Sequence, residues 1–209
     1  LPVISNEAIE PSEQVKYIRE HFGKEAFNSV PLITNYYSGS YFGIKQSIRL
    51  DALRCYIEQN YIVNHDSWVY TALLTALYST LSTIVHSAGK HFAQPIGITD
   101  FDKNKITNIR LFENRSYDVD ALFIGFLKEI FAKTGNLKTL QPCISTCNNV
   151  QDECFAILLE DKNISVIYAD PPYTAQQYSR FYHIPEVVRY YKYPQLQQHR
   201  GHITQGLYP

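Results

Sequence analysis

Ile164-Ser165-Val166-Ile167-Tyr168-Ala169 is a nearly continuous apolar run with β-branched members, and it is followed at once by Asp170-Pro171-Pro172-Tyr173. Such a run predicts a parallel strand over Ser165–Ala169, buried on both faces. Ligands of open α/β sheets bind just beyond the carboxyl ends of the strands, so the tetrapeptide stands where chemistry is expected. Its two prolines remove two backbone donors and fix two φ angles, giving a stiff loop whose carbonyls are free to accept hydrogen bonds.

Around this stretch, short extended and helical segments alternate. Cys143–Thr146 is expected to be extended, Asp152–Leu159 helical and Pro185–Tyr191 helical, so the fold class expected for residues 136–209 is α/β. Upstream the pattern changes to helices. Ser12 opens one that stops near Gly23, and Pro31 to Gly43, rich in Tyr, Ser and Gly, reads as irregular. A helix opening at Ser47 places Ile48, Leu50, Leu53 and Ile57 on one face and distributes Arg49, Asp51, Arg54 and Glu58 over the others. Asp66 to Ala88 reads as a long interior helix ended by Gly89, and Val119 to Ala132 as one further helix before Gly135. Residues 1–40 thus form a helical lead-in and residues 41–135 a helical region inserted before the α/β part.

With 209 residues, 45% hydrophobic and 19% charged, the chain can bury a core. Its formal charge of −1 gives no global basic field, so any nucleic-acid binding must be local. No apolar run approaches the roughly 18–20 residues of a membrane span, and no charged-then-apolar leader opens the chain, which makes the cytoplasm the expected compartment. Four cysteines, Cys55, Cys143, Cys147 and Cys154, are too few for a disulfide scaffold, and Cys143 and Cys147 have no second ligand pair nearby, so free thiols and no metal are expected. The start at Leu1 and the absence of methionine suggest a piece of a longer protein.

The chemistry that suits Asp170-Pro171-Pro172-Tyr173 is attack by an exocyclic aromatic amine on an electrophilic methyl group. The amine lone pair is delocalised into the ring, and its two N–H groups need acceptors before the nitrogen can become tetrahedral. The Asp170 carboxylate and the Pro171 carbonyl are two such acceptors, held in place by the proline pair. Tyr173 offers a flat face on which an extruded base can stack. Downstream, residues 171–209 hold four basic groups (Arg180, Arg189, Lys192, Arg200) against one acid (Glu186), a local net of +3. This suits a surface that tracks phosphates, and a solvated tail would have the same composition.

Asp-Pro-Pro-Tyr after an apolar strand resembles the catalytic motif of amino-group DNA methyltransferases, in the form typical of the adenine-N6 branch. Gln177-Tyr178-Ser179-Arg180-Phe181-Tyr182-His183 is similar to the continuation seen in the Dam-like class of restriction-modification systems. So are Tyr41-Phe42 with Ile48–Arg54, and the helix ending in Ser87-Ala88-Gly89-Lys90-His91-Phe92. The resemblance covers most of residues 31 to 193. It implies a Rossmann-like methyltransferase fold, incomplete here, with the helical region contributing to target recognition. The activity it implies is methyl transfer from S-adenosylmethionine to the adenine amino group of double-stranded DNA, in a system that pairs the enzyme with a restriction endonuclease. Asp170, Pro171, Pro172 and Tyr173 would be catalytic, and Asp170 with Asn148 and Asn149 would border the cofactor. Gln177, Tyr178, Arg180, Tyr182, His183 and Lys90 would contact DNA.

Each of these assignments has a plainer counterpart. Asn148 and Asn149 also suit a helix entry, His183 a satisfied core histidine, and Lys90 a helix C-terminal charge. The class also binds its cofactor through a glycine-rich FxGxG turn, and no such turn follows an apolar strand in this chain. Ser38-Gly39-Ser40-Tyr41-Phe42-Gly43 lacks the preceding strand. Methylation of the cytosine amine is the nearest rival activity. Carbon-5 cytosine chemistry is disfavoured, since Pro142-Cys143 precedes a strand instead of ending one. A non-catalytic DNA-binding remnant is the reading from another class.

Overall fold

A computed structural model of the chain describes residues 31–61, 67–96, 105–135, 179–192, 198–199 and 202–203, together with Val166 and Tyr168. The chain divides into two units, Leu1–Thr134 with Gln177–Pro209, and Gly135–Gln176. In the first unit the elements are α1 (Leu32–Tyr37), α2 (Ile44–Tyr61), α3 (Trp68–Ile84), α4 (Lys105–Ser116), α5 (Val119–Thr134) and α6 (Ser179–Tyr190). A 3-10 turn at Ala88–Lys90 follows α3, and β1 (Gln198–His199) pairs antiparallel with β2 (His202–Ile203).

Among the described residues 76% are helical and 4% are strand, which overturns the expected α/β, Rossmann-like fold. The two-residue pairs β1 and β2 form the only described ladder. Of the run before Asp170 only Val166 and Tyr168 are described. Both lie outside any strand and are 82% and 85% exposed, where a strand buried on both faces was expected. The expected segments Cys143–Thr146 and Asp152–Leu159, and the helix expected from Ser12, lie outside the described residues.

The core of the helical unit is formed by Leu32, Ile33, Tyr37, Tyr41, Phe42, Leu50, Ile57, Leu77, Leu81, Ile84 and Ile184, all fully buried. The long apolar helix α3 runs through it. Its N-cap is Ser67, whose hydroxyl accepts from Tyr70 N at 3.1 Å, one residue past the expected start. α5 follows its expected limits closely and packs against α3, while α2 packs against α1 and α3. Besides α2, which begins at Ile44 instead of Ser47, three elements differ from expectation. α1 is a helix inside the stretch read as irregular, α4 is an additional helix, and α6 begins at Ser179 and carries Pro185 in its interior.

α2 departs in part from the usual amphipathic pattern: Leu50 and Ile57 are buried as expected, but polar residues share that inward face. Ile48, expected on the apolar face, is 53% exposed and Tyr56 57%, while Gln46, Ser47, Asp51 and Arg54 are buried. A helix that turns charged and amide groups inward must satisfy each of them there. The partners of Gln46, Asp51 and Arg54 define the centre of the unit, while the Ser47 hydroxyl is buried without a hydrogen-bond partner among the described residues.

Candidate functional site

The residues that carry the expected chemistry, Asp170, Pro171, Pro172 and Tyr173, lie outside the described residues, as do Asn148, Asn149, Gln177 and Tyr178. Lys90 ends the 3-10 turn, and its side chain is likewise outside the description. Arg180, Tyr182 and His183 are described, on the first two turns of α6. That helix buries His183, Ile184, Val187 and Val188, the i, i+1, i+4, i+5 pattern of a packed face, and leaves Arg180, Tyr182, Glu186, Arg189 and Tyr190 in solvent. Tyr182 and Tyr190 are 56% and 67% exposed, and the Arg189 guanidinium lies 6.0 Å from the Tyr190 ring centroid.

His183 does not reach the surface where a DNA contact would need it. It is 3% exposed, its Nδ1 lies 2.9 Å from the Arg180 carbonyl, and its ring stands edge-on to Tyr37 and Tyr41 at centroid separations of 5.9 and 6.0 Å. The core-histidine alternative therefore describes it. Burial pushes the Tyr37 phenol far above its ordinary range.

Two groups on α2, one turn apart, hold the far end of α6. Asp51 accepts from Tyr191 Oη at 2.6 Å, and Arg54 donates from Nε to the Val188 carbonyl and from Nη2 to the Arg189 carbonyl, both at 2.7 Å. The second bond and Tyr191 N, which reaches Val187 O at 2.7 Å, occupy carbonyls that the helix end would otherwise leave unpaired. Tyr191 adopts φ 49°, the left-handed conformation that usually falls to glycine after a helix. Arg54 also pairs with Glu58 at 2.6 Å.

The Asp51 carboxylate serves α1 as well. It accepts from Ile33 N at 2.9 Å, Thr34 N at 2.8 Å and Thr34 Oγ1 at 2.7 Å, capping a helix whose own N-cap residue is Pro31. Burial pushes its carboxyl up from the usual range, and the bonds from Tyr191, Thr34 and Ile33 oppose that rise. Desolvation from burial also raises Tyr191, helped by the Asp51 charge.

A second polar cluster surrounds the Ser38–Gly43 turn. Gly39, at φ 78°, lets Gly39 N reach the Phe42 carbonyl at 2.8 Å. Gln46 accepts from Gly43 N at 3.0 Å and donates to the Asn114 and Tyr117 carbonyls at 2.7 and 3.2 Å, tying the turn to the end of α4. Arg115 lies over Gly43 and donates to the Ser40 carbonyl at 3.1 Å. His86 donates its backbone N–H to the Tyr41 carbonyl at 2.9 Å, and its Nδ1 lies 3.2 Å from Asn114 Nδ2. Burial, aided by the Arg115 charge, lowers the His86 imidazole to about 4, and burial alone lowers Arg115 to about 10.

Beyond this turn, His91 is packed between Gly89 and Phe181, with ring centroids of His91 and Phe181 4.5 Å apart. The hydroxyl of Ser87 donates to the His91 carbonyl. Among the described residues no group of His, Cys, Asp and Glu is placed to hold a metal ion, and no helix is long and apolar enough to cross a membrane.

Asp51 and Arg54 lie in the Ile48–Arg54 stretch singled out by the family resemblance. Local periodicity assigned them to outer faces, and only the i, i+3 spacing of an acid and a base hinted at a shared inward task. Nothing in a local window marked His86 or Arg115. No family model matches the chain, and no curated protein and no solved structure is found similar to it.

Proposed function

We propose that the chain is part of an enzyme that transfers a methyl group from S-adenosylmethionine to an exocyclic amino group of a DNA base, adenine in the first instance. The observation that carries this reading is Asp170-Pro171-Pro172-Tyr173 itself, an acid, two φ-locked residues and a flat ring in immediate succession. S-adenosylmethionine supplies the electrophilic methyl as co-substrate. The Asp170 carboxylate and the Pro171 carbonyl accept the two amine N–H groups, directing the nitrogen lone pair out of the ring plane. Tyr173 stacks on the extruded base. The amine loses its proton readily once alkylated, so orientation does most of the work and no strong base is needed. The reading rests on this local chemistry and not on a sheet.

The exposed face of α6 supports DNA as the substrate. Tyr182 and Tyr190 present large rings to solvent and Arg189 adds a cation, immediately downstream in sequence of the tetrapeptide. The test is transfer of a labelled methyl group to duplex DNA. Asp170→Ala is expected to abolish transfer while leaving DNA affinity nearly unchanged, and retained turnover would refute the role given to Asp170. A non-catalytic DNA-binding role is the second reading, favoured by the helical character of the described residues. It predicts DNA binding with no binding of S-adenosylmethionine in a calorimetric titration.

A further inference from the structure

α5 is apolar on two sides. Its inner side buries Val119 and Phe123 and packs against α3 and α2. On its outer side Ala121, Ile124, Lys128 and Phe131 follow the 3-4-3 spacing of a helix–helix seam, and all four are exposed, where a surface helix ordinarily turns polar residues to water. The patch continues onto the start of α3, where the Trp68 ring meets Phe131 edge-on at a centroid separation of 4.8 Å and Val69 is also exposed. A Cβ built at Gly125, beside Ile124, would meet nothing within 4 Å. Contiguous exposed apolar surface rimmed by charge marks a contact with another macromolecule.

The order of side chains and charges along the seam says which one. When the helix is turned end for end about Phe126, small Ala121 falls opposite large Phe131, Ile124 opposite the aliphatic stem of Lys128, and Lys133 opposite Val119, between Asp118 and Asp120. The acids stand at the start of α5 and the lysine in its last turn, so both ends of an antiparallel pair join opposite charges, and the opposed helix dipoles add to the attraction. A parallel pair would set Phe131 on Phe131, Lys128 on Lys128 and acid on acid. Asp120 and Lys133 already meet Arg49 and Glu129 within the chain, at 2.7 and 3.7 Å, but these are exposed pairs that hold their charges weakly.

We propose that the outer face of α5 is the contact between two copies of this chain, packed antiparallel about a two-fold axis at Phe126, with Trp68 and Val69 extending the contact at each end. The same patch then serves both copies, and the pair is closed. One helix seam and the start of a second helix fall short of the roughly 800 Å² per partner of a standard interface, so the association is reversible and depends on concentration. The surface is independent of the methyl-transfer reading, because it uses no residue of that reading and is tested without DNA or methyl donor.

The experiment is sedimentation equilibrium of the full chain from about 1 µM to 1 mM, the range in which weak complexes dissociate. The mean mass is expected to rise with concentration towards twice that of the monomer and no further. Ile124→Lys brings a lysine against Lys128 across the axis and should leave the chain monomeric, with an unchanged circular dichroism spectrum because the position is half-exposed. Lys133→Glu sets acid against acid at both ends and should weaken the dimer by about tenfold. Adding Asp120→Lys to Lys133→Glu returns an opposite charge to each end and should restore most of that loss. A wild-type chain that stays monomeric throughout overturns the proposal, and so does a dimer that survives Ile124→Lys, which is then made by another surface. A mass that grows beyond two copies, or a charge reversal without rescue, overturns the closed antiparallel pairing and the proposal with it.

Discussion

Replacing Asp51 by Asn tests whether one carboxylate joins α1, α2 and the end of α6. The side chain is nearly the same size, so the perturbation is one of charge and acceptors. Oδ1 receives Ile33 N and Tyr191 Oη, and Oδ2 receives Thr34 N and Thr34 Oγ1. An amide keeps one acceptor oxygen, so whichever way it is turned two of the four donors face an NH2 group. With the amide nitrogen on the Oδ2 side the Thr34 hydroxyl can rotate to accept, leaving Thr34 N as the orphan, a loss of about 1–3 kcal/mol. The remaining bonds weaken from charge-assisted to neutral, by about 1 kcal/mol in all. Relief of the buried charge returns part of this, since burial is what raises the Asp51 carboxyl. The net expectation is a destabilisation of about 2 kcal/mol, a fall in Tm of roughly 4–8 °C for a chain of this size. Chemical denaturation followed by circular dichroism measures it. Tyr191→Phe in the Asp51→Ala background should cost about 1 kcal/mol less than in the wild type, because the bond it removes is already gone. Strict additivity, or an Asn variant within about 0.5 kcal/mol of wild type, would refute the joint.

Three further outcomes follow from the same geometry. His86 has a folded-state pKa lowered from 6.5 to about 4, so as pH falls through 6.5 the unfolded chain takes up a proton that the folded one does not, and stability declines between 6.5 and about 4. His86→Gln should flatten that part of the stability profile, and an unchanged slope would show that His86 is not the group responsible. Gly89→Ala places a Cβ 2.7 Å from His91 Nε2 at φ 70°, with the His91 ring already against Phe181, and should destabilise by about 1–3 kcal/mol in thermal melts. Arg54→Lys keeps the charge but cannot span Glu58 and both α6 carbonyls, so accelerated amide exchange in Val187–Tyr191 is expected, and unchanged protection there would count against the clasp.

Where sequence and structure agree, the signal was a long run of apolar residues with helical spacing. α3 lies inside the expected Asp66–Ala88 helix, and α5 matches Val119–Ala132 to within two residues at its end. Such helices carry their own evidence, because burial of a continuous apolar face dominates local preferences. α1 lacked that evidence. Leu32–Tyr37 begins after a proline and runs into a Ser-Gly turn, and its first N–H groups are satisfied by Asp51, 18 and 17 residues from the donors Ile33 and Thr34. A cap supplied from another helix cannot be seen in a window of neighbours. α4 was missed for a similar reason. Its polar sequence gives little periodicity, and the side chains that fasten its end, Gln46 and Asn114, act across 68 residues or pair with His86.

The polar residues on the buried face of α2 link these failures to the part of the sequence that looked most like a functional stretch. Ile48–Arg54 resembled a family motif, and the natural expectation for such a stretch is contact with a ligand. In the helical unit Asp51 and Arg54 face inward and act on backbone groups of α1 and α6, while Ile48 faces solvent. Buried ionic groups add little net stability compared with a well-packed apolar core, but each accepts only certain partners at certain positions. An apolar seam between α2 and α6 could slide by a turn at small cost. A seam in which one guanidinium must meet the carbonyls of Val188 and Arg189, and one carboxylate must meet Tyr191, fixes the register of α6. Because α6 also carries Tyr182, Arg189 and Tyr190 on its outer face, the inward-facing pair on α2 determines which side of that helix meets solvent. Recurrence of such residues in a motif is therefore compatible with a purely positioning role, exerted from inside the protein on a surface they never touch.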